Sequence, residues 1–126
     1  MLVRIVTRQV EPDVIVIELA GQLTLGNALT EVESAIKQRM QKGSRRLVLD
    51  LSKLTFLDSS GVGMLAVCSG LMDRTGGRMV IAGASGKVKD VLGMVHLDRV
   101  TGMYSDLASA CAAFTEPPAG PPATQE

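Results

Sequence analysis

Strand-like alternation and helix-like spacing take turns along this chain. Residues 2–9 put Leu2, Arg4, Val6 and Arg8 on one parity and Val3, Ile5, Thr7 and Gln9 on the other. Neither face is cleanly apolar, which suits a strand at the edge of a sheet. Glu11-Pro12-Asp13 reads as a turn, because proline presets its own φ and aspartate bonds nearby backbone. Val14 to Ala20 is rich in β-branched residues and apolar on both parities, so the two runs predict an antiparallel hairpin. Gly21 to Asn27, with two glycines, predicts a loop. The period then changes: Leu29, Val32, Ile36 and Met40 recur at helical spacing, predicting a helix from near Asn27 to Lys42 with Gly43 as its stop.

Leu47-Val48-Leu49-Asp50-Leu51 covers both faces, as a central strand buried on two sides must. A second helix is predicted over Ser60 to Thr75, ended by Gly76-Gly77, and a strand over Arg78 to Ala82. Ser85 is placed to cap a third helix carrying the stripe Val88, Val91, Leu92 and Val95. A short strand within Val100 to Tyr104 and a last helix over Ser105 to Phe114 complete the pattern. The order β-β-α-β-α-β-α-β-α predicts an α/β fold with a mixed, mainly parallel sheet and helices packed on it. Residues 1–114 read as one domain, and 115–126, proline-rich with nothing to bury, as a disordered tail.

Composition narrows the function. Thirteen basic and thirteen acidic residues cancel, so no net field draws in nucleic acid or an anionic membrane. Phe56, Tyr104 and Phe114 are the only aromatics, too few for a platform on which bases could stack. The N-terminus lacks the apolar run of a signal peptide, and no window approaches the ~18 apolar residues of a membrane span. Cys68 and Cys111 therefore read as reduced, mostly buried thiols in a cytoplasmic protein.

Enzymatic motifs fare poorly. Gly83-Ala-Ser-Gly86-Lys87 has two residues between its glycines where a phosphate loop has four, and Val88 stands where the metal-holding hydroxyl belongs. Gly61-Val62-Gly63 lacks the third glycine of a dinucleotide fingerprint. His96, the only histidine, reads as the end of the third helix, near its negative dipole. Convergent metal ligands and a base for Ser59 or Ser60 are both missing from the pattern. The methionines suit core gaps, although an exposed Met64 would suit an adaptable binding surface. A protein without cofactor or metal, not an enzyme, is the expectation.

What stands out is Asp58-Ser59-Ser60-Gly61-Val62-Gly63, where a strand must become a helix within a few residues. Asp and Ser accept bonds from the unpaired N–H groups of a first helical turn, and glycines permit tight turning and close approach. Downstream, the second helix is apolar nearly all round for two turns, through Val62, Met64, Leu65, Ala66, Val67, Cys68, Leu71 and Met72. A sheet-facing stripe needs only ~100°. The surplus is either covered by neighbouring helices or exposed to a partner.

Leu49-Asp50-Leu51-Ser52 and Phe56 to Gly63, followed by Gly76 to Ala82, Val91-Leu92 and Leu97-Asp98, resemble the STAS domain, in register over about residues 2–114. The chain is most similar to the single-domain anti-sigma factor antagonists. That resemblance implies phosphorylation at Ser59 by a GHKL-type anti-sigma factor kinase, removal by a serine phosphatase, and release of a sigma factor through partner switching. It implies a phosphosite environment of Asp58, Ser60, Gly61 and Gly63, with Ser60 as the structural cap. It also implies a partner surface including Gln22, Thr24, Val62, Met64 and Leu65. One departure is visible: Gly21-Gln22-Leu23-Thr24 replaces the usual Gly-Glu-Leu-Asp, removing two carboxylates from the partner-facing side. The alternative is a non-switching STAS scaffold or a transporter-associated STAS subunit.

Overall fold

The computed structural model describes residues 3–10 and 12–115. In chain order these form β1 (Val3–Val10), β2 (Val14–Leu23), α1 (Asn27–Gln41), β3 (Arg46–Leu57), α2 (Ser59–Arg74), β4 (Arg78–Ala82), α3 (Gly86–Met94), a 3-10 turn (Leu97–Arg99), β5 (Gly102–Tyr104) and α4 (Leu107–Thr115). The strands lie side by side in sequence order. β1 and β2 are antiparallel and every other neighbour is parallel, so the sheet is the mixed, mainly parallel one expected.

That order dictates the layers. From β2 to β5 the chain steps one strand over each time in the same direction. Right-handed crossovers then put all three connecting helices on one face. Ile15, Ile17, Leu19, Leu47, Leu49, Leu51, Met79 and Ile81 accordingly share one buried cluster with Val32 and Ile36 of α1, Leu65, Cys68 and Met72 of α2, and Val88 and Leu92 of α3. The opposite parity, Val14, Val16, Val48, Val80 and Ala82, packs under α4, around Ala110, among the described residues. The two cysteines fall on opposite faces, Cys68 in the three-helix core and Cys111 on α4, half-buried against the other face, both free thiols. Burial, then the nearby Glu33 carboxylate, pushes the Cys68 thiol up to about 11, with Lys37 opposing.

β2 and β3 run further than their periodicity predicts. Opposite Glu18 and Ala20 of β2 stand Asp50 and Lys53 of β3; opposite Gly21 and Gln22 stand Leu54 and Phe56. β3 thus holds one extra residue in each interval, two bulges in succession. Each bulge resets the two-residue alternation. Leu51, Leu54 and Leu57, three apart, all reach the core in consequence. Three steps in succession fit neither the two-residue strand period nor the 3.6-residue helical one, so the predicted strand ends at Leu51. The loop expected over Gly21 to Asn27 likewise shrinks to residues 24–26, because Gly21, Gln22 and Leu23 pair with the bulged part of β3.

Smaller corrections follow. His96 does not end α3: the helix stops at Met94, and His96 sits beyond it in the left-handed region at φ 57°, leading the 3-10 turn. Ser85 occupies the N-cap position of α3, but its side chain makes no capping bond. Thr115 ends α4, and residues 116–126 of the expected tail lie outside the described residues. Among the described residues no helix is long and apolar enough to cross a membrane.

Candidate functional site

At the carboxyl end of the sheet, β2 and β3 finish together, with Leu23 opposite Leu57. The next N–H, of Asp58, donates to the Leu23 carbonyl at 3.2 Å, extending the pairing one step. Asp58 is still extended (φ −101°), and α2 begins at Ser59. Its carboxylate works in two directions. Oδ1 accepts the Gly61 N–H at 2.9 Å, capping the helix. Oδ2 accepts the Leu25 N–H at 3.0 Å, fastening the loop between β2 and α1. The Leu25 N–H, then the Gly61 N–H, hold the Asp58 carboxyl below its usual range against the desolvation that opposes them. The cap is therefore Asp58 and not Ser60. A cap must precede the helix with extended backbone, and Ser60 is already its second residue.

Gly61 is where the helix meets the sheet. A Cβ there would lie 2.8 Å from the Leu23 carbonyl oxygen and 3.2 Å from Leu23 Cγ. Only a bare Cα lets α2 start so close to the end of β2. Gly63, one half-turn on, has nothing within 4 Å of the same hypothetical atom and is exposed.

Ser59 is exposed at the first position of α2, and its hydroxyl makes no hydrogen bond among the described residues. The positive end of the helix dipole favours an anion there, and the Asp58 carboxylate at the cap already supplies one, bonded to the Gly61 N–H of that turn. Ser60 is half-buried beside it. Gln22, exposed and opposite Phe56, and Thr24, half-buried in the loop, are at the same end of the sheet. His96, beyond the carboxyl end of α3, is at the opposite end, so the fold does not bring it to Ser59.

Three expected partner contacts turn inward. Val62, Met64 and Leu65 are 8%, 7% and 0% exposed and belong to the three-helix core. α2 is the middle crossover, so α1 and the sheet consume most of its apolar surplus. The outward stripe is instead Ser59, Gly63 and Val67, with Val67 55% exposed. Beside its upper end stands Leu25, 73% exposed, on the loop held by Asp58. Sequence reasoning missed both side chains. Val67 is lost in a uniformly apolar run, and Leu25 meets Asp58 across 33 residues. An apolar residue stranded before Gly26, outside any periodic stripe, was the one available signal for Leu25.

Known proteins agree with this architecture. The STAS domain family model matches residues 6–110. The chain is 28% identical over 100 residues to the anti-sigma F factor antagonist of Paenibacillus polymyxa, covering 77% of this chain and 83% of that protein. Its fold is similar to the crystal structure of an anti-sigma factor antagonist from Mycobacterium paratuberculosis, with TM-score 0.82, 22% identity, and 90% and 95% of the two chains covered. It is also similar to the Bacillus cell fate determinant SpoIIAA in its phosphorylated form, with TM-score 0.68, 19% identity, and 90% and 100% covered. With the sheet order, the crossover helices and a family match over most of its length in agreement, the chain belongs to the STAS domain family.

Proposed function

We propose that this protein is an anti-sigma factor antagonist. Unphosphorylated, it binds a GHKL-type anti-sigma kinase and so frees a sigma factor. The kinase ends that binding by phosphorylating Ser59, and a serine phosphatase restores it. In this reading the chain is a cytoplasmic binding protein, not an enzyme, and works without cofactor or metal. The observation that carries it is the exposed, unbonded Ser59 hydroxyl at the start of α2, beside a loop fastened by Asp58. Relatives named as anti-sigma factor antagonists support it, as does the similar fold of the Bacillus cell fate determinant SpoIIAA in its phosphorylated form. The partner-facing groups are Gln22, Thr24, Leu25, Ser59, Gly63 and Val67; Val62, Met64 and Leu65 support them from the core.

The physics of the switch follows from position. A phosphoserine adds about −1.5 to −2 charges; the helix N-terminus favours it by about 0.3–1 kcal/mol and the neighbouring Asp58 carboxylate opposes it, two effects at an exposed position that leave the domain folded. Against a partner carboxylate ~6 Å away, a −2 charge costs about 5 kcal/mol at an effective dielectric of ~20 before screening. Half of that weakens binding well over tenfold, at ~1.4 kcal/mol per decade. Repulsion at the interface, without refolding, turns the protein off.

The test is binding of Ser59→Ala and Ser59→Asp to the GHKL-type kinase encoded nearest to this chain, with phosphopeptide mass spectrometry after incubation with ATP. Ser59→Ala is expected to bind like the parent and Ser59→Asp at least ~tenfold more weakly. Equal binding by all three, with no phosphate on residue 59, overturns the switch and leaves a non-switching STAS scaffold.

A further inference from the structure

The two glycines of the Asp58–Gly63 junction are glycines for different reasons. Gly61 is demanded from inside, by the Leu23 carbonyl oxygen 2.8 Å from where its Cβ would stand. Nothing among the described residues demands Gly63. Its backbone is helical, its φ is not in the left-handed region, and a Cβ would meet no atom within 4 Å. A glycine in an exposed helical position weakens the helix relative to alanine, and here no contact in the domain offsets that loss.

The placement of Gly63 suggests what does. Residues four apart on a helix are neighbours, with Cβ atoms ~5–6 Å apart. Gly63 is four residues from Ser59, and Val67 four further, on the exposed stripe. Helical side chains also lean toward the N-terminus, so a side chain at 63 would stand over the turn that carries Ser59. A macromolecule that approaches the Ser59 hydroxyl along the exposed stripe passes over this position.

We propose that Gly63 is a specificity-determining clearance point. It leaves the α2 backbone bare so that the anti-sigma kinase can lie flat against the helix, with Leu25 and Val67 flanking the contact and its active site over Ser59. The proposal rests on the reading of Ser59 as the kinase-facing switch and names the contact that admits the partner. It predicts an inverse relation: a side chain at 63 helps the free domain and hinders the complex.

The test compares Gly63→Ala and Gly63→Leu with Gly93→Ala, using the full chain. Gly93 is also helical, exposed and free of any atom within 4 Å, but it is in the last turns of α3, at the far end of the fold. Thermal unfolding, affinity for the GHKL-type kinase encoded nearest to the chain, and its rate of Ser59 phosphorylation are measured for each. Gly63→Ala is expected to raise Tm by roughly 2–5 °C, as an alanine-for-glycine change in a helix of this domain should. It is also expected to weaken kinase binding at least ~tenfold, and Gly63→Leu more, while Gly93→Ala leaves binding unchanged. Unchanged affinity and phosphorylation in both residue-63 variants overturns the proposal, as does a fall in Tm for Gly63→Ala. If Ser59→Asp still weakens binding in that case, the switch stands and only the clearance role fails. If Ser59→Asp binds like the parent, the underlying reading fails with it.

Discussion

The junctions β3–α2 and β4–α3 lie at the same end of the sheet, each turning a parallel strand into a helix, and each carries serine and glycine. They are built by opposite means. At β3–α2 the change takes one residue: Asp58 is extended, Ser59 is helical, and no positive φ is used. Asp58 ties the turn to Gly61 and to Leu25, and Gly61 seats the helix on Leu23. At β4–α3 the chain turns through glycines of positive φ at Gly83 (75°) and Gly86 (56°), the first of them close against Ser52, whose Cβ is 2.9 Å from where a Gly83 Cβ would stand. There Ser85 sits in the cap position with its side chain unbonded. In the first case the aspartate does the capping, which leaves the serine hydroxyl at the helix start free for chemistry. In the second the hydroxyl is the candidate cap and does no capping. What separates the two is the fastening: at β3–α2 one carboxylate ties the turn to the helix and to the neighbouring loop, with Ser59 free at the first helical position, whereas the Ser85 side chain ties nothing.

The largest break in this comparison is expected from Gly61→Val. The clash at 2.8 Å is with a backbone oxygen, which cannot rotate away. Overpacking of this kind should cost about 3 kcal/mol in denaturant unfolding, more than the helix gains from losing a glycine. Gly86→Ala at the other junction meets no atom within 4 Å, and should cost only the ~1–2 kcal/mol of a left-handed non-glycine residue. If the two substitutions cost the same, the β3–α2 junction is not the tighter one.

Next is Asp58→Ala, which removes the cap and the loop fastening together. Loss of an N-cap costs about 0.5–2 kcal/mol, and the upper half is expected here because the Leu25 N–H also loses its acceptor. The carboxylate gives this contribution a pH signature. Its folded pKa is depressed, so the stabilisation is complete above the unfolded carboxylate range and is lost as pH falls through the lower folded value. Urea midpoints of the parent and Asp58→Ala should therefore differ by a constant amount from pH 8 down to pH 5 and converge in strong acid. A gap that widens on acidification would contradict the hydrogen-bonded carboxylate.

How much of this could be read from the residues depends on what each feature rests on. Helices α1 and α3 were legible because one face of each is buried and the period shows it, and β2 and β4 because a short, β-branched apolar run between turn signals is what a strand buried on both faces looks like. The Asp58-to-Gly63 junction was legible because cap chemistry is local. β3 beyond Leu51 was not, since two bulges defeat a two-residue period, and with it went the true end of β2. The burial of Val62, Met64 and Leu65 was hidden by α2 being apolar on nearly every side; only its packing on the sheet and beside α1 decides which side faces out. The Asp58–Leu25 bond was unreadable for a simpler reason. It joins residues that meet only when β2 and β3 end in register.

The smallest expected effect is the sharpest check on the contrast between the two serines. By sequence, Ser85 has the stronger claim to a structural role, standing directly before its helix where a hydroxyl normally accepts a first-turn N–H. In the structure it accepts none, and its exposed side chain makes no hydrogen bond among the described residues. Ser85→Ala should therefore change unfolding stability by no more than about 0.5 kcal/mol, the scale of a surface substitution. Ser59→Ala should be equally mild in the free domain, because that hydroxyl too is unbonded. The two then part only in the presence of kinase and ATP, where Ser59→Ala stays unmodified and bound while Ser85→Ala is phosphorylated and released like the parent. A loss above ~1 kcal/mol for Ser85→Ala would mean that its hydroxyl does cap α3 in solution. The β4–α3 junction would then be held as firmly as its neighbour, and firmness alone would no longer single out Ser59.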